Sequence, residues 1–148
     1  MIFADASFLV SLYLPNDRFS TIARTVAISF QSAVAYTLLT ELELTNTLWR
    51  AVGEKRMSKE FATNLLRDVN RDLVDGFLQQ CGLDALAHYR RAMELSERFA
   101  SQYFTRALDV LHVAAACLLE TSSFASFDSR QRKLAAAVGL KLLPATLT

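Results

Sequence analysis

Glycine is scarce in this sequence, at four residues in 148. None follows the first apolar segment, so the glycine fingerprint by which a dinucleotide fold approaches a pyrophosphate is missing. Cysteine is scarcer still. Cys81 and Cys117 stand apart among apolar neighbours, which gives neither a disulfide framework nor a metal-binding cluster and reads as two buried small hydrophobes. No apolar run is long enough to span a bilayer. The stretch MIFADASFLVSLYLPND is interrupted by Asp5 and has no basic leader, so no membrane segment or signal peptide is expected, and a reducing, cytoplasmic location is the default. An excess of charge is absent too, since 16 basic against 15 acidic residues give a net charge of +1. Bulk charge therefore does not mark a nucleic-acid binder, and it does not exclude one, because a basic patch around an acidic centre cancels in the total.

What is present is the composition of a folded globular protein, 52% hydrophobic and 21% charged, at a length that suits one domain over residues 1–148. Short apolar segments alternate with helical patterns. Residues 1–4 read as a strand ending at Asp5, followed by a helix over 7–14 that stops at Pro15 and Asn16. Asp17 can cap a second helix, in which Phe19, Ile22, Ala23, Val26, Ala27 and Phe30 repeat with helical period. Residues 32–36 are β-compatible, and Thr37 can cap the long helix behind them. Ser58 opens a further helix ended near Gly76, and 77–81 is a weaker strand. Helices follow from Asp84 and over 105–120, then a strand over 122–127 ending at Asp128. A helix closed by Gly139 and a last strand over 141–144 complete the chain. This alternation predicts an α/β domain around a mainly parallel sheet of about five short strands.

In open α/β sheets, ligands bind beyond the carboxyl ends of the strands. Asp5 and Asp128 each follow a strand and precede a helix, Glu43 lies about two turns into the helix after the second strand, and Asp109 lies one turn into its own helix. Four acids from four segments thus point to one sheet edge, where they suit a hard divalent cation such as Mg²⁺ or Mn²⁺. Each acid also has a plain structural role open to it. Asp5 and Asp128 can cap the helices they precede, and Glu43 can be a solvated helix residue. Asp109 is harder to explain so simply, because 105-TRALDVLHVAAACLLE-120 is apolar around its whole circumference and a buried carboxylate needs a partner. His112, at i+3, can be that partner.

Four stretches of the chain resemble the PIN-domain ribonucleases, and among them the VapC-like toxins of toxin–antitoxin pairs. The opening 2-IFADASFLVSLYL-14 is similar to the family's first strand with D-x-S, giving Asp5 and Ser7. In 36-YTLLTELELTNTLWR-50, Thr37, Glu43, Asn46 and Leu48 fit the family's spacing, with Glu41 a competing choice to Glu43. The segment 106-RALDVLHVAAA-116 is similar to R-x-x-D-x-x-H-x-A-x-A and carries Asp109 and His112. Last, 126-SFDSRQRKLAAAVGLKLL-143 resembles T-x-D followed by a basic, alanine-rich helix, with Ser126 in place of the usual threonine and Asp128 as the acid.

The resemblance implies a PIN-like three-layer fold and metal-dependent hydrolysis of RNA, leaving a 3′-hydroxyl and a 5′-phosphate. Asp5, Glu43, Asp109 and Asp128 would hold one or two Mg²⁺ or Mn²⁺ ions, Asp128 through water or from behind. Ser7 and Ser126 would orient waters or carboxylates, and His112 would position Asp109 or pack behind it. Arg106, Arg130, Arg132 and Lys133 are the cations nearest the expected site and are candidate phosphate contacts. Trp49 and Tyr13 can stack on a base, although their spacing beside apolar residues favours core or interface. A homodimer and a cognate antitoxin are the implied protein partners, for which Phe19, Phe61 and Leu65 on the early helices offer apolar surface. The alternative is a PIN-like module that binds RNA or protein without catalysis, against which the intact acid set argues. A phosphatase of the haloacid-dehalogenase type would want a second Asp where Ser7 stands, and a receiver domain would want an acid pair before its first helix and a late lysine.

Overall fold

The computed structural model describes residues 1–147. Its centre is an all-parallel sheet of β1 (Ile2–Ala4), β2 (Val34–Tyr36), β3 (Leu78–Gln80), β4 (Ser123–Ala125) and β5 (Lys141–Leu143), in the order β3-β2-β1-β4-β5. The helices are α1 (Ala6–Tyr13), α2 (Ser20–Ile28), α3 (Leu38–Gly53), α4 (Lys59–Val74), α5 (Ala85–Tyr103), α6 (Ala107–Leu118) and α7 (Ser129–Ala137). The expected α/β architecture is therefore present, with a sheet that is wholly parallel.

The inner strands β1, β2 and β4 are buried on both faces because helices cover both sides of the sheet. Ala4, Val34, Tyr36 and Ala125 point into one core with Phe8, Leu9, Leu44, Leu48, Leu65 and Val69 from α1, α3 and α4. Their neighbours Phe3, Ala35 and Phe124 point the other way, against Leu95, Val110, Val113, Ala114 and Leu134 from α5, α6 and α7. Successive strand residues alternate between the two cores, as the two-residue repeat of a pleated strand requires. Leu65, expected as surface for a partner, is core at 6% exposure, whereas Phe61 is exposed.

Four helices begin on side-chain caps foreseen from the sequence: Asp5, Ser58, Asp84 and Asp128 accept the N–H groups of Phe8, Phe61, Ala87 and Arg130. Each satisfies a donor that the first helical turn leaves free. Thr37 and Asp17 behave differently. Thr37 starts α3 without a side-chain cap bond, and α2 begins after Phe19. Asp17 instead braces the turn ahead of it, accepting the Phe19 N–H at 2.9 Å and the Ser11 hydroxyl at 2.6 Å. Gly139, at φ +90°, closes α7 in the left-handed region that glycine enters without a Cβ penalty. Among the described residues no helix is long and apolar enough to cross a membrane.

From β1 the chain winds outward through β2 to β3, then returns to the other side of β1 with β4 and β5. Winding reverses between β1 and β4, so the crevice beyond their carboxyl ends is where a ligand fits in such a sheet.

Candidate active site

Asp5 leaves β1 at that crevice. Its N–H donates to the Ala125 carbonyl at 3.1 Å, which seats it between the two strand ends. The carboxylate is fully buried. Its Oδ1 accepts the Phe8 N–H at 2.9 Å, its Oδ2 accepts the Ser126 hydroxyl at 2.7 Å, and the Ser7 hydroxyl lies 2.8 and 2.9 Å from the two oxygens. Those two serines are tied in turn to the other strand end, since the Phe127 N–H donates to Ser7 Oγ and the Asp128 N–H to Ser126 Oγ. Among these partners there is no basic side chain. Burial therefore pushes the Asp5 pKa above the ordinary carboxylate value, against the opposing pull of His112 and of the bonds from Phe8, Ser126 and Ser7.

A cavity of about 450 Å³ opens in front of Asp5, and Ser7, Asp17, Glu43, Arg106, Asp109, Asp128 and Gln131 share its wall. All four acids singled out in the sequence thus line one space. Glu41 does not belong to it; its carboxylate meets the Gln80 amide beside β3. Asp109 sits in the first turn of α6, 3% exposed, with Oδ2 accepting the Arg106 N–H at 2.8 Å. The Arg106 guanidinium lies 3.6 Å from the same oxygen and that of Arg130 3.9 Å. Asp128 caps α7 through the N–H groups of Arg130 and Gln131. For Asp5 and Asp128, capping and lining the cavity are not alternatives. The same geometry does both.

His112 takes a different place from the one its i+3 spacing suggests. It is fully buried, its Nε2 meets a Glu43 carboxylate oxygen, and its Nδ1 has no partner among the described residues. It therefore orients Glu43, on α3, rather than Asp109, on its own helix. Arg132 also departs from expectation. Only 7% exposed, it turns inward and donates to the carbonyls of Ser126 at 2.9 Å and Pro144 at 2.8 Å, so it is no phosphate contact. Lys133 is exposed and outside the cavity wall. Of the four expected cations, Arg106 and Arg130 stand beside an acid of the site.

Asp17 and Gln131 are among the polar members of the wall that escaped the sequence reading. Asp17 looks like a helix cap by position, and its carboxylate braces the α1–α2 turn while lining the cavity. Gln131, 7% exposed, donates from Nε2 to Asp109 Oδ1 at 3.4 Å, while its Oε1 is buried without a partner. Its amide orientation is dictated by charge, because the reverse would set Oε1 against the Asp109 carboxylate. Nothing short of its place three residues after Asp128 hinted at this in the sequence.

Oxygen donors of this kind suit a hard cation. A buried carboxylate with no basic side chain hydrogen-bonded to it and a buried amide oxygen without a donor both fit a hydrated Mg²⁺ or Mn²⁺. As the side chains stand, however, no group of three or more His, Cys, Asp or Glu among the described residues is gathered closely enough to hold a metal. Asp109, Asp128 and Glu43 are each engaged with a neighbour: Arg106, the α7 backbone and His112 respectively.

The sheet, its switch-point cavity and these donors define a doubly wound α/β domain with an acidic, oxygen-lined site. The chain belongs to the PIN-domain family, whose model matches residues 2–137. Among solved structures it is similar to Mycobacterium tuberculosis VapC20, described as a sarcin–ricin-loop-cleaving toxin. That match has 18% sequence identity and a TM-score of 0.71, and covers 95% of this chain and 96% of that one. At this identity the likeness is one of fold. No curated protein matches the chain.

Proposed function

We propose that this chain, acting as one PIN domain over residues 1–148, is a divalent-cation-dependent endoribonuclease and the toxin of a toxin–antitoxin pair. The observation that carries the proposal is the convergence of Asp5, Glu43, Asp109 and Asp128, from four separate segments, on one cavity at the switch point. Asp5 and Asp109 are the first holders of the cation, with Glu43 beside them and Asp128 acting through water. When bound, Mg²⁺ or Mn²⁺ supplies acidified water and offsets the charge that grows on the phosphorus oxygens. Ser7 and Ser126 keep Asp5 in place, His112 keeps Glu43 in place, and Arg106 and Arg130 meet the phosphates of the RNA. The protein partners in this reading are a second copy of the chain and a cognate antitoxin, met in the cytoplasm.

The local engagement of Asp109, Asp128 and Glu43 favours one competing reading, a PIN module that binds RNA or protein without cutting it. Metal uptake and cleavage separate the two. Mn²⁺ at about a hundred times its dissociation constant adds roughly 2.7 kcal/mol to the folded state. For a chain of this size that raises the melting temperature by roughly 5–10 °C. The parent is expected to give this shift and to release RNA fragments with 5′-phosphate ends, and Asp5→Asn to do neither. A parent that neither shifts nor cuts, or cuts no more than Asp5→Asn, favours the silent module.

Gln131 supplies a second test of the same site. Its unpartnered Oε1 is an acceptor for water around the cation, and partners of this kind typically contribute 10- to 100-fold to metal affinity. Gln131→Leu is expected to weaken Mn²⁺ binding, measured by calorimetry, by about that factor. Equal affinity in the two proteins would leave Gln131 a packing residue.

A further inference from the structure

The acidic cavity has an aromatic wall as well as an acidic one. Phe19 and Phe127 both line it, and their rings are stacked with centroids 4.5 Å apart and planes 1° from parallel. Phe127 stacks on Phe8 at 5.7 Å, and Phe8 on Phe30 at 5.9 Å. Phe8 is fully buried and Phe127 nearly so. An aromatic column therefore runs out of the core and ends at Phe19, which is half-buried. The backbone beneath that last ring is fixed, because Asp17 holds the Phe19 N–H and Ser20 Oγ donates to the Pro15 carbonyl at 3.0 Å. Over the ring lies the exposed guanidinium of Arg18, its Cζ 4.9 Å from the centroid. A flat cation thus occupies a site that admits another flat group.

The aromatic residues first suspected of stacking do not have this placement. The Tyr13 hydroxyl is committed to Asp72, and Trp49, on α3, is not part of the cavity wall. Resting on the nuclease reading above, we propose that Phe19 is the platform for one unpaired RNA base next to the phosphodiester held at the acids. The base takes the position over the ring that Arg18 occupies, and Arg18 turns to the neighbouring phosphate. The chemistry is that of single-strand binding generally: a rigid π-face accepts any base, and an adjacent cation follows the backbone. A base attached to the phosphodiester under attack must lie within a nucleotide of the carboxylates, and the accessible ring in that wall is Phe19. The inferred ligand is accordingly a splayed-out, single-stranded nucleotide rather than a stacked duplex.

The test uses the full chain carrying Asp109→Asn, so that RNA is bound without being cut. Two fluorescent probes of equal charge are compared, a short oligoadenylate and a counterpart whose ribose phosphates bear no bases. Adding Phe19→Leu, which keeps apolar volume but removes the π-face, is expected to weaken oligoadenylate binding about 5- to 150-fold and to leave the base-less probe unchanged. Phe19→Trp, which keeps a ring, is expected to retain the affinity. Equal loss for both probes with Phe19→Leu, no loss for either, or loss with Phe19→Trp equal to that with Phe19→Leu would overturn the platform. A protein that binds neither probe before Phe19 is changed would overturn the RNA-binding reading along with it.

Discussion

Asp109→Asn is expected to reduce RNA cleavage by more than about 100-fold while the protein remains folded. The lower bound follows from the 10- to 100-fold that loss of groups supporting a metal ligand typically costs, since a ligand itself contributes more than its supports. Asparagine is the informative replacement because Asp109 has two jobs. Its Oδ2 accepts the Arg106 N–H at the start of α6, and the amide oxygen of asparagine can still do so. Alanine would remove that cap and cost about 1 kcal/mol of stability in addition, mixing two effects. The new amide also suits Gln131, which can turn over so that its unpartnered Oε1 accepts the added N–H. What the substitution removes is the negative charge, in a wall shared with Asp5 and Asp128. The measurement is single-turnover cleavage with Mn²⁺ beside a thermal melt in chelator. Cleavage at the parental rate in a protein that melts normally would remove Asp109 from the chemistry.

Most of the fold was legible because its signals are local. Strands covered on both faces read as short apolar runs, and Asp5, Ser58, Asp84 and Asp128 mark helix starts by their residue type alone. The acids were legible for a related reason: Asp5 and Asp128 follow strands directly, so any parallel sheet brings them to one edge. The strand order was not, since β1, β2 and β4 are three-residue apolar segments with nothing to tell their neighbours apart. His112 was misplaced because helical spacing offered Asp109, whereas its partner Glu43 lies 69 residues away in sequence. Gln131 carries no charge, and Phe19 fits an ordinary amphipathic pattern that suggested surface for a protein partner, so the sequence placed neither in the site. Their roles come from the cavity wall, which only the folded chain assembles.

Arg132 presents the opposite case, a residue whose charge suggested the surface and whose burial makes it structural. The run SRQRKL looks like a solvated first turn beside an acidic site. Four residues after Asp128, however, the Arg132 side chain enters the gap between α7 and the chain leaving β5. There Nη1 and Nη2 donate to the carbonyls of Ser126 and Pro144, and Nη2 reaches that of Ala145 at 3.2 Å. Burial lowers its pKa and the Asp5 carboxylate opposes that. Replacing it with methionine keeps much of the aliphatic stem and removes the donors, leaving the Ser126 and Pro144 carbonyls without them. At about 1–3 kcal/mol for each buried group left unpaired, the expected loss from the two carbonyls is roughly 2–6 kcal/mol. For a chain near 150 residues that corresponds to a melting temperature lower by roughly 4–24 °C. Because the Ser126 hydroxyl also holds Asp5, the variant is expected to lose its Mn²⁺-induced thermal shift in part as well. Lys133→Met is the control, an exposed cation on the same helix, for which surface substitutions typically change stability by no more than about 0.5 kcal/mol. Equal melts for the two variants would mean that the Arg132 guanidinium contributes nothing to stability.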